Sequence, residues 1–412
     1  MIKAQTLKGF RDFLPADAIR RQYVIAKICD VFERFGFDPL ETPALEYAET
    51  LLEKYGDEAD KLLYLFSDRG GRKVGMRYDQ TVPLARVIAQ YGNVLPNPFR
   101  RYQIQPVWRA ENPQKGRFRE FLQCDADIVG SSSYLADSEI LVLAAETLTA
   151  LGFKKFTISV NDRTLLKDLP VQAIRTIDKL GKIGEEGVKT ELSARGFDAG
   201  MLDALKARHP TETLTRVLET APELGVPRET LRFTPTLARG LDYYTGMIFE
   251  VEITDYTAGS VCGGGRYDRL IGQFTGKDIP ATGFAFGFDR LMEAMEEKKL
   301  LPTGKTATEL LVTVFEPKML DESLYLTSQL RNAGINTELS PLPDAKLDKQ
   351  LQYADAKGIP YAVIRGPNEV SAGTIALKNL RMQVQEEMTV EALIKKFARN
   401  TDTVTGTHLP SE

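Results

Sequence analysis

The sequence predicts a mixed chain of two folded units: an α+β first unit interrupted by a helical stretch, and a C-terminal α/β domain. Three patterns predict it. Short apolar runs bounded by turn residues recur between residues 61 and 129 and again between 231 and 287, which is strand patterning. Residues 162–230, between those blocks, are helical in pattern, rich in charge and poor in aromatics. From residue 309 onward strand and helix patterns alternate, the βαβαβ signature of a separate domain with at least partly parallel strands.

The elements follow in order. Ile19, Tyr23, Ala26, Val31 and Phe35 recur at helical spacing over 16–36, and Gly36 ends that helix. Strands are expected at 61–66 and 74–78 around the turn 68–72, then a helix at 80–91. Residues 100–109 and 118–129 read as two strands joined by 110–117, followed by a helix at 135–152 and a strand at 156–160. Residues 247–253 alternate apolar residues with Glu250 and Glu252, a further strand, and 288–298 form a helix. Residues 300–308 read as a linker. Beyond it come strand 309–316, helix 320–333, strand 335–340, helix 344–357 and strand 360–366. The polar residues 400–412 are expected to be disordered. The expected boundaries are 1–161 and 231–299 for the first unit, 162–230 for its insertion, and 309–399 for the second.

Composition excludes several classes. The chain has 412 residues, 43% hydrophobic and 27% charged, as in soluble globular proteins. No apolar stretch approaches a membrane span, and the first six residues lack the apolar core of a secretory signal. Cys29, Cys124 and Cys262 are far apart and odd in number, neither a disulfide framework nor a metal-binding pair, so a reducing cytoplasm is expected. The net charge of −4 argues against nucleic acid held by charge alone but leaves room for a local basic patch. His209 and His408 neighbour none of the clusters below, which disfavours a catalytic triad or a His-rich metal site.

Four segments stand out. Residues 239–246, Arg-Gly-Leu-Asp-Tyr-Tyr-Thr-Gly, put a cation, a carboxylate, two phenols and two glycines beside a strand. A packed core has no use for that set, whereas a site reading a small polar ligand beside an anion does. Residues 109–121 form a hairpin with four cations around a Pro and Gly turn. Such a run is usually a solvated loop, but Arg109 follows the apolar Pro106-Val107-Trp108, and arginine reads phosphate in bidentate fashion. Gly263-Gly264-Gly265 lacks the last glycine of a dinucleotide fingerprint, because Asp268 stands there. It reads either as a flexible turn or as backbone brought close to a ligand, and its place after 239–253 favours the second. Residues 283–291 are a glycine-aromatic strand entering a helix. There Arg290 sits where a sheet edge meets the first helical turn, against the helix dipole unless an anion is near. Thr303-Gly304-Lys305-Thr306 resembles the end of a P-loop, but Lys299 replaces the required glycine and no strand leads in, so it reads as linker.

These Arg-bearing segments, in this order, resemble the class II aminoacyl-tRNA synthetases, specifically the histidyl-tRNA synthetase family. Residues 109–121 match motif two of that class, 283–291 match motif three, and 239–246 match the histidine-recognition segment. Residues 76–83 and 123–127 match the two other substrate-contact stretches, and 353–360 resemble part of the anticodon-binding domain. The resemblance runs from about residue 9 to 397. Ala110 and Gln80 depart from the usual residues, and the insertion is short.

The resemblance implies an α+β catalytic domain with a mainly antiparallel sheet flanked by helices, a small helical insertion and an anticodon-binding tail. It implies activation of L-histidine with ATP to histidyl-adenylate, then transfer to the 3′-terminal adenosine of tRNA(His), in a cytoplasmic homodimer. Arg109, Arg239 and Arg290 would carry the phosphate chemistry. Asp79, Gln80, Thr81, Arg109, Gln123, Asp127, Arg239, Tyr243 and Tyr244 would hold histidine. Arg109, Glu111, Arg117, Phe121 and Arg290 would hold ATP, with Arg290 and Phe121 against the adenine and Glu111 at its side. Arg239 would stand where related enzymes place a metal ion, and Mg²⁺ would arrive with the nucleotide. The rival reading is the histidine-sensing regulatory subunit of ATP phosphoribosyltransferase. That relative typically lacks the tail domain and the full set of ATP-binding arginines.

Overall fold

The structure is a computed structural model that describes residues 2–52, 54, 61–113, 117–238 and 243–397. Two compact units divide the chain: residues 1–12 and 27–300 form one, and residues 13–26 with the chain from Leu301 form the other.

Alternation builds the first unit. Helix α1 (Pro15–Arg34), of which only the part from Lys27 belongs to this unit, leads to β1 (Asp38–Pro39), β2 (Leu45–Tyr47), α2 (Ala48–Leu51), β3 (Leu65–Ser67) and β4 (Lys73–Met76). Then come α3 (Thr81–Tyr91), β5 (Phe99–Trp108), β6 (Glu120–Val129), α4 (Tyr134–Ala150) and β7 (Phe156–Asp162). Helices α5 (Val171–Ile177), α6 (Leu180–Ala194), α7 (Met201–Lys206) and α8 (Glu212–Glu223) follow β7. The chain returns through β8 (Leu231–Phe233), β9 (Met247–Ile253), β10 (Cys262–Arg266), α9 (Gly272–Thr275), β11 (Ala281–Gly287) and α10 (Phe288–Glu297).

An eight-stranded sheet results, in the order β1-β5-β6-β11-β10-β9-β7-β8. Its inner pairs are antiparallel, and only the short edge strands β1 and β8 run parallel to their neighbours. Side chains alternate between two faces. Cys124, Ala126, Ile128, Phe249, Val251, Phe284 and Phe286 are buried on one, where Phe32 of α1 meets the Phe284 ring. That row of aromatic and aliphatic residues is the core. The other face carries Arg101, Gln103, Gln105, Gln123, Asp125 and Asp127, with glycines and alanine beside them in register. A smaller antiparallel sheet, β2-β4-β3, completes the unit.

The second unit contains β12 (Leu310–Val312), α11 (Leu320–Asn332), β13 (Thr337–Leu339), α12 (Leu347–Lys357) and β14 (Tyr361–Ile364). Then follow α13 (Pro367–Ala372), β15 (Thr374–Asn379), β16 (Val384–Thr389) and α14 (Val390–Phe397). Its sheet order is β13-β12-β14-β15-β16. The first three strands are parallel, as the βαβαβ pattern predicts, and the last two add an antiparallel edge.

Several local expectations are corrected. Residues 61–64 are not strand, and β3 begins only at Leu65. Leu62 and Leu63 are apolar because they pack on the core around Leu51, Tyr78 and Val82, not because they alternate in a sheet. The Gly263-Gly264-Gly265 run is no turn but lies within β10, paired on both sides. Strand β11, which leads to Arg290, is internal rather than at a sheet edge. His209 lies exposed in the loop between α7 and α8, not in a helix. The expectation of a disordered tail falls on residues 400–412, outside the described residues.

Candidate active site

The polar face of the large sheet has a gap in its middle. In register, Asp127 faces Gly283 and Asp125 faces Ala285, while Gln123 faces Gly287. On the next strand Gly263 stands opposite Ala285 and Gly265 opposite Gly283. Small residues on β10 and β11 thus leave space over the sheet that larger side chains would fill. A cavity of about 440 Å³ occupies it. Asp79, Thr81, Arg109, Glu111, Arg117, Phe121, Gln123, Asp127, Tyr243, Tyr244 and Arg290 all line it, brought from four separate stretches of sequence.

At one end the cavity is acidic and aromatic. Asp79 precedes α3 and accepts the backbone N–H of Val82 at 3.1 Å, where the helix dipole favours a carboxylate. Tyr243 hydrogen-bonds with Thr81. The Tyr243 ring meets Tyr244 at 4.9 Å and Tyr267 at 5.8 Å. Burial raises the pKa of all three phenols, so each stays a protonated donor at neutral pH.

Asp127 is locked from below. Arg101, with 0% of its side chain exposed, places Nη2 2.6 Å from Asp127 Oδ2, and the Tyr267 hydroxyl donates to Oδ1. Burial raises the Asp127 carboxyl pKa, while Arg101 and then Tyr267 pull it down. Arg101 also donates to Gln103 Oε1 at 3.3 Å and to the Gln80 carbonyl at 3.4 Å. Beneath it, Arg77 donates to Gln105 Oε1 at 2.8 Å and to the carbonyls of Thr42 and Pro106 at 2.6 and 2.9 Å. Asp125 is buried next to this pair, and its pKa is raised well above the usual carboxylate range. Desolvation is the chief cause, opposed by Arg101 and Arg109 and reinforced by Asp127 and Asp79.

The other end is cationic. Arg109 Nε donates to the Tyr78 carbonyl at 3.1 Å, and its guanidinium carbon lies 4.2 Å from the Tyr78 ring centre and 5.0 Å from that of Phe121. Flanking rings hold a planar guanidinium in one orientation. Arg117 pairs with Glu111 at 3.5 Å. Arg290 Nη1 donates to the Ser260 carbonyl at 3.0 Å, and Asp289 beside it pairs with Arg11 at 2.9 Å. Among the described residues no group of three His, Cys, Asp or Glu is arranged to hold a metal ion.

One expected site residue is displaced. Gln80 does not line the cavity and is fully buried. Its Nε2 donates to the carbonyls of Gln105 and Gln123 at 2.7 and 3.3 Å, so it braces the start of α3 against β5 and β6. Arg239 and Asp242 lie outside the described residues. Arg101 and Tyr267 are the residues that sequence reading missed. The signals were an arginine alternating inside an apolar strand and a tyrosine two residues after a glycine triplet.

The model of the histidyl-tRNA synthetase family matches residues 9–182 and 198–291, and that of an anticodon-binding domain matches residues 302–400. The histidine–tRNA ligase of Rhodopirellula baltica is 42% identical over 94% of this chain and 96% of its own length. The histidyl-tRNA synthetase structure from Nostoc sp. PCC 7120 superposes with a TM-score of 0.84 at 31% identity, over 96% of this chain and 99% of that one. A structure from Bacillus halodurans, described as an ATP phosphoribosyltransferase regulatory subunit/histidyl-tRNA synthetase, superposes at 0.72 with 23% identity, over 88% of this chain and 99% of that one. At that identity it shares the fold alone.

Proposed function

Because the chain belongs to the histidyl-tRNA synthetase family, we propose that its cavity activates L-histidine with ATP and passes the histidyl group to tRNA(His). One observation carries this: a single cavity joins the Asp79, Thr81, Asp127 and tyrosine end to the Arg109, Phe121 and Arg290 end. An amino acid in the first would present its carboxylate to a nucleotide in the second.

The attacking group is a carboxylate, already ionised at neutral pH. It needs no general base, only alignment and neutralisation of charge on the phosphate oxygens. Arg109, oriented by Tyr78 and Phe121, supplies that at the α-phosphate. Arg239, on the sequence resemblance, supports it from the other side. Phe121 and Arg290 flank the adenine, with Glu111 and Arg117 at its rim. Magnesium would arrive with the nucleotide and neutralise phosphate oxygens; Glu250 and Glu111, which line the same cavity, are the carboxylates that would face it.

Selection of histidine falls to the acidic end. Asp79 and Thr81 take the ammonium group. Asp127, Gln123, Tyr243 and Tyr244 face the ring, whose two nitrogens can each be paired. A site that pairs the hydrogen-bonding groups of its substrate rejects analogues lacking them by roughly 10⁴–10⁵-fold.

The sensor reading is weaker, because a histidine sensor has no need for Arg109 and Arg290 beside the amino-acid end or for the tail domain. We further place residues 162–230 as the insertion and 309–399 as the anticodon-binding domain, in a cytoplasmic protein. No described helix is long and apolar enough to cross a membrane. A homodimer is proposed as well: Leu45, Tyr47, Leu65 and Phe66 of the small sheet are 43–53% exposed, an apolar surface that a second copy would cover. Light scattering measures the mass.

ATP–pyrophosphate exchange, run with each amino acid in turn, tests the main reading. Histidine alone should support exchange. Exchange with another amino acid, or none with histidine, would overturn it.

A further inference from the structure

A second cavity, of about 250 Å³, shares a wall with the first: Tyr244 lines both. Arg163, Lys167 and Arg269 bring three cations to it, over an apolar floor that includes Leu166 and Ile174. Among the described residues no carboxylate lines it.

Among the described residues, three nearby acids are committed elsewhere. Asp162 accepts the Thr164 N–H at 2.9 Å and the Thr211 hydroxyl at 2.7 Å. Asp168 is turned to Arg208, 2.7 Å from Nη1. Asp268 accepts from Arg266 at 3.2 Å and from the Ala281 N–H at 3.1 Å. Lys167 and Arg269 are exposed and have no side-chain ion pair or hydrogen bond among the described residues. Arg163 donates Nη1 to the Ala238 carbonyl at 3.1 Å, which fixes its guanidinium and leaves further N–H groups. Exposed cations left unneutralised around a concave surface attract an anion.

We propose that this cavity is a phosphate subsite for the tRNA strand, seated against the back of the tyrosine that lines the amino-acid pocket. The inference rests on the synthetase reading, in which the terminal hydroxyl of the tRNA must reach a histidyl group held beside Tyr244. A nucleic-acid strand carries a phosphate at every step, so one passing this wall meets the three cations. Its open, exposed rim suits a chain crossing the surface better than an enclosed free anion. The apolar floor can receive the sugar next to the phosphate.

The test uses the full-length protein with Lys167→Glu and Arg269→Glu combined. Both side chains are exposed, so the fold should persist, and circular dichroism checks it. The KM for tRNA should rise at least about tenfold. The log–log salt dependence of kcat/KM for tRNA should become shallower by roughly 1.4–1.8, the share of two phosphate contacts. Histidine-dependent ATP–pyrophosphate exchange should stay within about twofold. The neutral pair Lys167→Gln and Arg269→Gln should raise the KM less and change the slope by a similar amount. An unchanged tRNA KM and salt slope overturn the proposal. So does a change confined to inhibition by free pyrophosphate, which would make the occupant a small anion. Absence of histidine-dependent exchange in the unaltered protein would instead sink the synthetase reading itself.

Discussion

Gly283→Ala tests how the amino-acid end is built. Gly283 faces Asp127 across the β6–β11 ladder. A Cβ there would lie 2.0 Å from Asp127 Oδ1, 2.5 Å from its Cγ and 2.6 Å from the Ala126 carbonyl oxygen. The carboxylate can swing aside, but the carbonyl belongs to a strand held on both sides and cannot. Moving Asp127 breaks its 2.6 Å pairing with Arg101 and its bond from Tyr267, leaving a fully buried guanidinium without its counter-ion. Breaking a buried pair costs about 3–5 kcal/mol. Overpacking alone costs about 1–3 kcal/mol. Moving the carboxylate relieves only its own share of the clash and leaves the contact with the Ala126 carbonyl, so a loss of at least roughly 3–5 kcal/mol is expected. That is a large part of a typical domain stability of about 5–15 kcal/mol. Urea unfolding measures it through Trp108, the single tryptophan, which is buried and donates to Glu120 at 2.6 Å. In exchange kinetics the KM for histidine should rise about 100-fold, or 2.7 kcal/mol, with a smaller change for ATP. Asp127→Asn, which keeps the shape, provides the kinetic arm if the alanine variant does not fold. Stability within about 1 kcal/mol of the parent, together with an unchanged histidine KM, would refute the reasoning.

Three further outcomes are expected. Arg109→Ala should lower adenylate formation by about 10²–10³-fold, the scale of one preorganised charge-stabilising donor, with unfolding unaffected; near-normal exchange would remove Arg109 from the chemistry. Tyr244→Phe should raise the KM for histidine by about tenfold, near the value of one buried hydrogen bond, and exchange titrations with histidine measure it. Asp125→Asn should melt above the parent at neutral pH. Burial raises the folded-state pKa of Asp125, so the parent loses stability as pH rises from the unfolded value, about 3.9, through the folded one. The variant lacks that titration, so the gap in Tm should close on acidification; a parent that melts higher at neutral pH would contradict the sign.

Most of the architecture was legible because periodicity follows from burial. The 247–253 strand, the 283–291 strand-to-helix corner and the βαβαβ run all sit where alternation put them. Errors arose where an apolar residue served another purpose, as at Leu62 and Leu63, or where glycines suggested a turn. In β10 they are strand residues kept small by the carbonyl oxygens of Met247 and Gly283, 2.3 Å from any added Cβ at Gly265 and Gly264. The site divides in the same way. Arg109, Tyr244 and Arg290 were marked by residue types out of place in a core, while Phe121 and Asp127 came only with the family resemblance. Gln80 also came with the resemblance, yet its partners are backbone carbonyls.

The sequence by itself determined which side chains could serve a charged ligand and in what order they come, because chemistry resides in residue type and periodicity in local sterics. Only the tertiary structure decided which of them meet. Strand register set Asp127 over Gly283 and against Arg101, twenty-six positions earlier in the chain. It also committed Asp162, Asp168 and Asp268 to other partners, away from the cations of the cavity that shares Tyr244. Burial and pairing are sums over neighbours that lie far apart in sequence, and the fold alone brings those neighbours together.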